Sequence, residues 1–247
     1  MNDLEKIEKN LIEIGDDMLK CDKHCDDVDF KKEEGKIPRC LFPEFDRKGK
    51  NCCVVVGLNP GKTSGTEKEQ FKNCTKYKDV FDYWNNNVKW SNRYYKRLRY
   101  FLEKVGFDGH ILWTELVKCE KNDKGLSNQT IRTCITKFLL EELKLVEKKW
   151  PIQPKWPIFA VGRESYEALS VMLPEKPVVG IPHPTGGGGV YFCKLFVKDD
   201  QKNIESRELK EPIKVEVENT IDENKAIWLS GTKEEAKEKV EEMILER

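Results

Sequence analysis

The sequence predicts an α/β fold built around a mainly parallel sheet. Short apolar segments such as the valine-rich CCVVVGL alternate along the chain with amphipathic segments of helical period. This alternation is typical of domains in which helices cover a parallel sheet. It extends to about residue 190 and then gives way to a different pattern. We therefore expect one domain over residues 1–190 and an extension over residues 191–247 that packs on the same domain.

Helical periodicity predicts the helices of this domain. Apolar residues at helical spacing predict a first helix from Leu4 toward Cys21. The same pattern predicts a helix over NRYYKRLRYFLEKVGF that ends near Gly106, a long helix that begins at Ser127 or Asn128, and a helix over RESYEALSVML. Apolar runs predict strands over CCVVVGL, HILWTEL, WPIFAVG and KPVVGIP.

Two parts of the chain lack the alternating pattern. The polar region between the first helix and Gly49 is predicted to be irregular. Beyond residue 190, the segments VYFCKLFV, PIKVEVEN and KAIWLSG resemble antiparallel strands, and the capping box Thr232…Glu235 predicts a terminal helix. The extension is therefore expected to be β-rich and to end in a helix.

Composition indicates a cytoplasmic protein that does not bind membranes. No apolar run approaches the ~20 residues of a membrane span, and the N-terminus alternates charged and apolar side chains, unlike a signal or transit peptide. The nine cysteines favour reduced thiols or metal ligation over a disulfide framework. Net charge is zero, but residues 199–247 carry 15 acidic and 9 basic residues. The remainder is therefore moderately basic, which is compatible with nucleic-acid binding.

The segment VVVGLNPGKT raises the question of a phosphate-binding loop. A Walker A loop has four residues between its two glycines, whereas Gly57 and Gly61 enclose only three. A phosphate is held by successive backbone N–H groups, and Pro60 removes one of these donors. A P-loop nucleotide hydrolase is therefore disfavoured, but it stays an alternative at this point.

Four segments, in order, resemble motifs of the uracil-DNA glycosylase superfamily. VVVGLNPG resembles its first active-site motif, TELVKC an element of its iron–sulfur members, IRTCITKFLLEEL…WPIFAVGRESYEAL the region that follows, and GIPHPTG the last active-site motif. The resemblance covers about residues 4–186 and implies a three-layer α/β sandwich. It also implies a monofunctional DNA glycosylase, which would hydrolyse the N-glycosidic bond of a flipped-out uracil or modified pyrimidine and leave an abasic site.

The resemblance assigns roles to residues of the paired loops. His183 would donate to the base oxygen and stabilise the departing anion, as an oxyanion hole does, and Asn59 would position the water that attacks C1′. The expected base-binding residues are Gly57, Leu58, Pro60, Gly61, Glu115 and Phe71, of which Phe71 would stack on the base. The expected DNA-binding residues are Thr185, Gly186, Arg93, Lys96, Arg97 and Arg99. For the four basic residues, a solvated helix face is the alternative.

The same resemblance implies a [4Fe–4S] cluster bound by four thiolates. The expected ligands are Cys21, Cys25, Cys119 and Cys134. Cys119 and Cys134 have nearly the spacing of the iron–sulfur members, but three residues rather than two separate Cys21 from Cys25. Cys40 or His24 is therefore an alternative ligand. Without a cluster, the four cysteines would be ordinary buried thiols.

Glu115 is the most informative departure from the superfamily, which has an asparagine that can pair with O4 and N3–H of uracil. An ionised glutamate only accepts hydrogen bonds, so it would disfavour uracil and suit the amino group of a cytosine-type base, such as a 5-substituted cytosine. Two alternatives are a protonated Glu115 and a Glu115 turned away toward a lysine. For the whole chain, the alternative function is an inactive nucleic-acid-binding or nucleotide-binding module on the same fold.

Overall fold

The computed structural model describes residues 3–23, 25–150, 156–185, 189, 192, 211–223 and 225–229. Its α-helices are α1 (Asp3–Leu19), α2 (Gly65–Phe71), α3 (Tyr77–Tyr83), α4 (Arg93–Lys104), α5 (Asn128–Cys134), α6 (Leu140–Lys149), α7 (Arg163–Met172) and α8 (Glu211–Asp222). Its strands are β1 (Val28–Asp29), β2 (Phe42–Glu44), β3 (Cys53–Gly57), β4 (Ile111–Glu115), β5 (Glu120–Lys121), β6 (Ile158–Val161), β7 (Val178–Ile181) and β8 (Ala226–Trp228). A 3-10 turn lies at Lys32–Glu34, and π-helical turns lie at Trp84–Val88 and Ile135–Leu139.

The protein is a mixed α/β structure with a mostly parallel central sheet. Six strands form this sheet in the order β2-β4-β3-β6-β7-β8. The pairs β3–β6, β6–β7 and β7–β8 are all parallel. Every residue of β3, β4, β6 and β7 is buried, which explains why these strands are continuous apolar runs. The predicted fold class is confirmed at this level.

Capping side chains and a glycine explain where several of the helices begin and end. The Ser127 side chain accepts a hydrogen bond from the backbone N–H of Thr130, so Ser127 is the N-cap of α5. The Asn92 side chain caps α4 in the same way. Beyond the end of α4, Gly106 has a φ of +92°, a conformation that favours glycine. The long predicted helix is present as α5, a π-helical turn and α6 in succession.

The first of two compact units comprises Met1–Phe45, Gly57–Lys89 and Leu112–Ile152. Helix α1 packs against α3 and α6, and its residues Ile7, Leu11 and Met18 are fully buried. The short strands β1 and β5 pair in antiparallel fashion beside this helical layer. This unit contains the loop after β3 and the segment that follows β4.

The second unit comprises Asp46–Val56, Trp90–Ile111 and Gln153–Arg247. Helix α7 packs on β6 and β7, and α8 packs on β7. The rings of Phe101 on α4 and Phe159 on β6 meet edge to face, with centroids 5.9 Å apart. This unit contains the loop after β7.

Parts of the predicted secondary structure are wrong. PIKVEVEN lies in helix α8 and not in a strand, and Val217 and Thr220, three positions apart on that helix, are both fully buried. KAIWLSG does contain a strand, β8, but it pairs parallel to β7 because a helix connects the two. The region before Gly49, predicted to be irregular, contributes β2 to the central sheet.

Some predictions fall on residues that the structure does not describe. VYFCKLFV, apart from Phe192, and the capping box Thr232…Glu235 lie outside the described residues. Among the described residues, no helix is both long and apolar enough to cross a membrane.

Candidate functional site

In the first unit, the loop after β3 runs beside the segment after β4. The Gly57 carbonyl accepts a hydrogen bond from the Leu116 N–H at 2.8 Å, and the Leu58 carbonyl accepts one from the Val117 N–H at 2.9 Å. These backbone bonds bring the GLNPG motif and the TELVKC motif together. Two motifs far apart in sequence therefore form one side of a candidate site.

A buried charge network fixes the far end of the GLNPG loop. Glu120 Oε2 accepts hydrogen bonds from the Thr63 N–H at 2.7 Å and from Thr63 Oγ1 at 2.6 Å. Arg39 donates to Thr63 Oγ1 at 2.8 Å and to the Gly61 carbonyl. Arg39 and Glu120 are only 5% and 7% exposed, so water competes little with these contacts. The loop is therefore held by a cation and an anion from outside the motif.

This network disfavours the phosphate-binding alternative. In a P-loop, the backbone N–H groups and the Ser/Thr hydroxyl face the nucleotide and its metal. Here the N–H and hydroxyl of Thr63 are both bonded to the Glu120 carboxylate, whose charge would repel a phosphate. Lys62 is exposed, and helix α2 begins later, at Gly65, with Ser64 as its N-cap.

Asn59 is half-buried in the middle of the same loop. Its Nδ2 donates to the Pro60 carbonyl at 2.7 Å, which fixes the plane of the side-chain amide. The Oδ1 atom takes no hydrogen bond from any described residue, so it can accept one from a water molecule. This is the chemistry that the expected water-positioning role requires.

Glu115 ends β4 and lies directly against the GLNPG loop. A Cβ atom built on Gly57 would come within 2.0 Å of Glu115 Oε2, so a larger residue at position 57 would require the Glu115 carboxyl group to move. Glu115 is 8% exposed. Burial raises the pKa of Glu115 to about 8, although Lys118 and Arg39 act in the opposite direction. The carboxyl group is therefore mostly protonated at neutral pH.

Lys118, the nearest candidate partner of Glu115, is bonded elsewhere. Its ammonium is 2.7 Å from Glu142 Oε1 and 2.9 Å from Glu142 Oε2, and it also donates to Thr114 Oγ1 at 2.6 Å. Lys118 and Glu142 are 1% and 0% exposed, so this ion pair joins the end of β4 to α6 inside the core. The alternative in which Glu115 binds a lysine is thus not seen. The raised pKa disfavours the ionised, acceptor-only form of Glu115 at neutral pH.

In the second unit, His183 is exposed in the loop after β7, and Thr185 orients its ring. His183 Nδ1 lies 3.3 Å from the Thr185 N–H nitrogen, 3.2 Å from Thr185 Oγ1 and 3.0 Å from the Thr185 carbonyl. The carbonyl contact requires a proton on Nδ1, whereas acceptance from the Thr185 N–H requires the proton on Nε2, so this geometry admits both tautomers. The Tyr94 ring lies 5.3 Å from the imidazole and limits its tilt. The exposed imidazole can therefore present an N–H donor at Nε2.

The four basic residues of α4 lie in different environments. Arg97 donates to the carbonyl of Pro184, so it supports the loop that carries His183. Arg99 is 5% exposed and lies over the Trp90 ring, 4.3 Å from its centroid. Arg93 and Lys96 are exposed. Only these last two present their charged groups to solvent.

The remaining base-binding and DNA-binding candidates are placed as follows. Phe71 is 1% exposed and meets Tyr83 edge to face at 5.1 Å, so its ring offers no open face to a base in this structure. Pro60 is buried and Gly61 is exposed on the loop. Gly186 lies outside the described residues.

The four predicted cluster ligands line one cavity of about 310 Å³ in the first unit. Cys21 follows α1, Cys119 follows the TELVK segment, and Cys134 ends α5. Burial raises the pKa of the Cys119 thiol well above its usual range, and burial also raises that of Cys134. Cys40 is not among the residues that line the cavity, and His24 lies outside the described residues.

The cysteines that line this cavity do not form a site for a single metal ion. Among the described residues, no three Cys, His, Asp or Glu side chains are close enough to bind one metal ion. A single zinc ion needs sulfur ligands that converge to about 2.3 Å.

Sequence reasoning missed the residues that support this site. Arg39 lies in a region that was predicted to be irregular, and nothing in its local sequence indicates a buried cation. Lys118 stands in the TELVKC motif, but its partner Glu142 is 24 residues away on α6. Only the three-dimensional contacts show that these charges stabilise the two motifs.

Neither the scan against protein-family models nor the search of curated proteins found a match to this chain.

Proposed function

We propose that the chain is a monofunctional DNA glycosylase on a three-layer α/β sandwich of the uracil-DNA glycosylase type. It would hydrolyse the N-glycosidic bond of a flipped-out uracil or modified pyrimidine. The sequence evidence for this proposal is the presence of four superfamily-like motifs in the expected order. The loops after β3 and β7 support it, because ligands of parallel sheets bind at the carboxyl ends of strands.

The orientation of His183 is the observation that carries the proposed chemistry. When the glycosidic bond breaks, its electron pair leaves with the base, and negative charge develops on the base oxygen. In the tautomer with its proton on Nε2, His183, whose Nδ1 faces Thr185, would donate to that oxygen. A donor placed where charge develops in the transition state lowers the barrier.

Asn59 supplies the second part of the reaction. The sugar that remains carries positive charge at C1′, and a water molecule bonded to Asn59 Oδ1 would add its oxygen there. The water loses one proton, and the base anion gains one, so the products are an abasic site and the free base. The resemblance places no lysine as a nucleophile, so strand cleavage by a Schiff base is not part of the proposal.

We also propose a [4Fe–4S] cluster, which the common cavity of the four cysteines supports. Cys21, Cys25, Cys119 and Cys134 would hold it. When bound, the cluster would supply coordination bonds that join α1, the segment after β4 and α5. It would therefore act in stability and not in the hydrolytic step.

DNA is the proposed partner. The exposed side chains of Arg93 and Lys96 on α4 are suited to contact phosphates. Arg97 and Thr185 would act indirectly, since both contact the loop of His183 or its ring.

The test is an excision assay on duplexes that contain uracil, cytosine or 5-substituted cytosine, with alkaline strand scission as the readout. We expect His183→Ala and Asn59→Ala to lower excision by about 10²–10³-fold while DNA affinity, measured by anisotropy, stays close to that of the wild type. Thr185→Val should lower kcat more than it changes KM, because it disturbs only the ring orientation. The matched control is Asn86→Ala, at an exposed position, which should behave like the wild type.

Two results would count against the proposal. Wild-type turnover in both the His183 and Asn59 variants would remove these residues from the mechanism. Tight DNA binding with no excision of any base would instead favour the inactive binding module.

A further inference from the structure

Trp90 is an exposed aromatic side chain in the turn before α4. It is 56% exposed, and among the described residues only Val171, at 52%, is another large apolar side chain with similar exposure. Single exposed apolar residues are common on protein surfaces. The surroundings of the ring therefore decide whether Trp90 has a role in binding.

A buried guanidinium supports the Trp90 ring. Arg99 Cζ lies 4.3 Å from the ring centroid, and Arg99 is only 5% exposed. A cation over an aromatic face attracts the ring, and the attraction is stronger where water is excluded. The start of the helix beside the ring is also fixed, because the Asn92 side chain accepts a hydrogen bond from the Tyr94 N–H at 2.8 Å. Trp90 is therefore a pre-positioned ring that needs little ordering when a ligand stacks on it.

The helix beside this ring is basic. α4 contains five basic residues and one acidic residue, Glu103, which has its own cation partner. Lys96 is exposed three positions before Arg99, so these two side chains are neighbours on the helix surface. Arg93 is exposed three positions before Lys96. The surface next to Trp90 therefore attracts anions.

We propose that Trp90 stacks on an unpaired base of single-stranded DNA while Arg93 and Lys96 contact the adjoining phosphates. An aromatic ring beside basic side chains suits a single strand, because every base has a flat face and every nucleotide carries a charge. Inside a duplex, each base face is covered by the neighbouring base pair and is not accessible to the ring. The inference rests on DNA as the proposed partner and not on base excision, so binding alone tests it.

The structure favours a nucleic acid over a membrane surface or a protein partner. A helix that lies on a membrane turns a row of apolar side chains outward, whereas Leu98, Phe101 and Leu102 of α4 are buried. The core of a protein interface is apolar and depleted of charged residues. Here a single exposed ring lies beside basic side chains, which is the chemistry of a base and its phosphates.

The experiment measures by calorimetry how the protein binds a single-stranded oligonucleotide of about 12 nucleotides, polyphosphate, and vesicles that contain anionic lipid. Polyphosphate has backbone-like charges without bases. The variants are Trp90→Ala, Trp90→Leu, which still covers Arg99 but has no ring, and Lys96→Gln. The matched control is Val171→Ala, because Val171 is an exposed apolar residue of α7 in the same unit. Thermal unfolding of each variant verifies that the fold is intact.

We expect Trp90→Ala and Trp90→Leu to bind the oligonucleotide about 5–100-fold more weakly than the wild type, and to bind polyphosphate equally well. Lys96→Gln should weaken the binding of both anions and reduce its salt dependence. Val171→Ala should behave like the wild type with every probe.

Wild-type affinity of the Trp90 variants for the oligonucleotide, or an equal loss of affinity for polyphosphate, would overturn the inference. Binding to the vesicles that requires Trp90, without binding to the oligonucleotide, would show that the ring serves a membrane surface instead. A wild-type protein that excises no base would remove the glycosylase proposal but not this site, since the binding comparison contains no catalytic step.

Discussion

At the scale of single residues, the pair Gly57 and Glu115 defines the chemistry of the candidate site. The glycine permits a carboxyl oxygen to lie against the main chain, in a position that a Cβ atom at residue 57 would displace. The same close approach removes water from the carboxyl group, and that desolvation favours its neutral form. A residue of the first motif thus contacts a carboxyl group of another motif whose pKa is raised by burial.

This pair leads to a prediction about stability. The pKa of Glu115 is raised from 4.5 to about 8 in the folded protein, so between these values the folded state binds more protons than the unfolded state. Wild-type stability should therefore fall as pH rises through this window, relative to Glu115→Gln, by up to about 5 kcal/mol. Urea unfolding of both proteins across the window measures the difference.

Glu141→Gln serves as the control, because an exposed carboxylate contributes little to this pH dependence. A constant difference between the wild type and Glu115→Gln from about pH 4.5 to about pH 8 would show that Glu115 ionises normally in the folded state.

At the scale of elements, the GLNPG loop depends on charges that lie outside it. Thr63 and the Gly61 carbonyl are bonded to Arg39 and Glu120, which come from the segment before β2 and from β5. Arg39 also donates its own N–H to the carbonyl of Lys118 at 2.9 Å. The loop therefore keeps its shape through three separate parts of the first unit.

The prediction for this network is a strong coupling between its two charges. Arg39→Met should lower the free energy of unfolding by about 3 kcal/mol, because it leaves the Glu120 carboxylate buried without its cation. Glu120→Gln should also destabilise the protein, and the double variant should lose less than the sum of the two. Chemical unfolding of the three variants provides the measurement, with Arg132→Met at an exposed site as the control. Strictly additive losses would argue against the network.

Local sequence patterns predict most, but not all, of the observed helices and strands. The buried strands β3, β4, β6 and β7 and the helices α1, α4 and α7 follow directly from apolar runs and helical periodicity. PIKVEVEN forms helix α8 despite its β-branched residues. Val217 and Thr220 find their buried surroundings only in the folded chain, so tertiary packing overrides the intrinsic preference.

At the scale of the whole molecule, the cysteine cavity brings together positions that are widely separated in the sequence. It is lined by Cys21 and Cys25 near the N-terminus and by Cys119 and Cys134 about a hundred residues later. A cluster bound there would close long loops of chain, and such cross-links stabilise mainly by restricting the unfolded state.

We therefore predict that protein purified without oxygen is brown and contains iron and sulfide in nearly equal amounts. Cys119→Ser and Cys134→Ser should each lose the colour and lower the melting temperature. Cys74→Ser is the matched control, since Cys74 is also buried but bonds to the Lys76 carbonyl away from the cavity. Iron analysis, visible absorption and thermal unfolding are the measurements. A colourless, iron-free protein of unchanged stability would exclude the cluster.

The sequence by itself determined the α/β class, most strands and helices, and the order of the motifs, because these depend on local periodicity and on residue types. The division into residues 1–190 and 191–247 stays a prediction, although β8 pairs with β7 in the central sheet. Only the tertiary structure decided that burial raises the pKa of Glu115, that Arg39 and Glu120 hold the GLNPG loop, and that four cysteines share a cavity. Each of these properties depends on burial and on neighbours distant in sequence. A local sequence pattern contains no information on burial or on such neighbours.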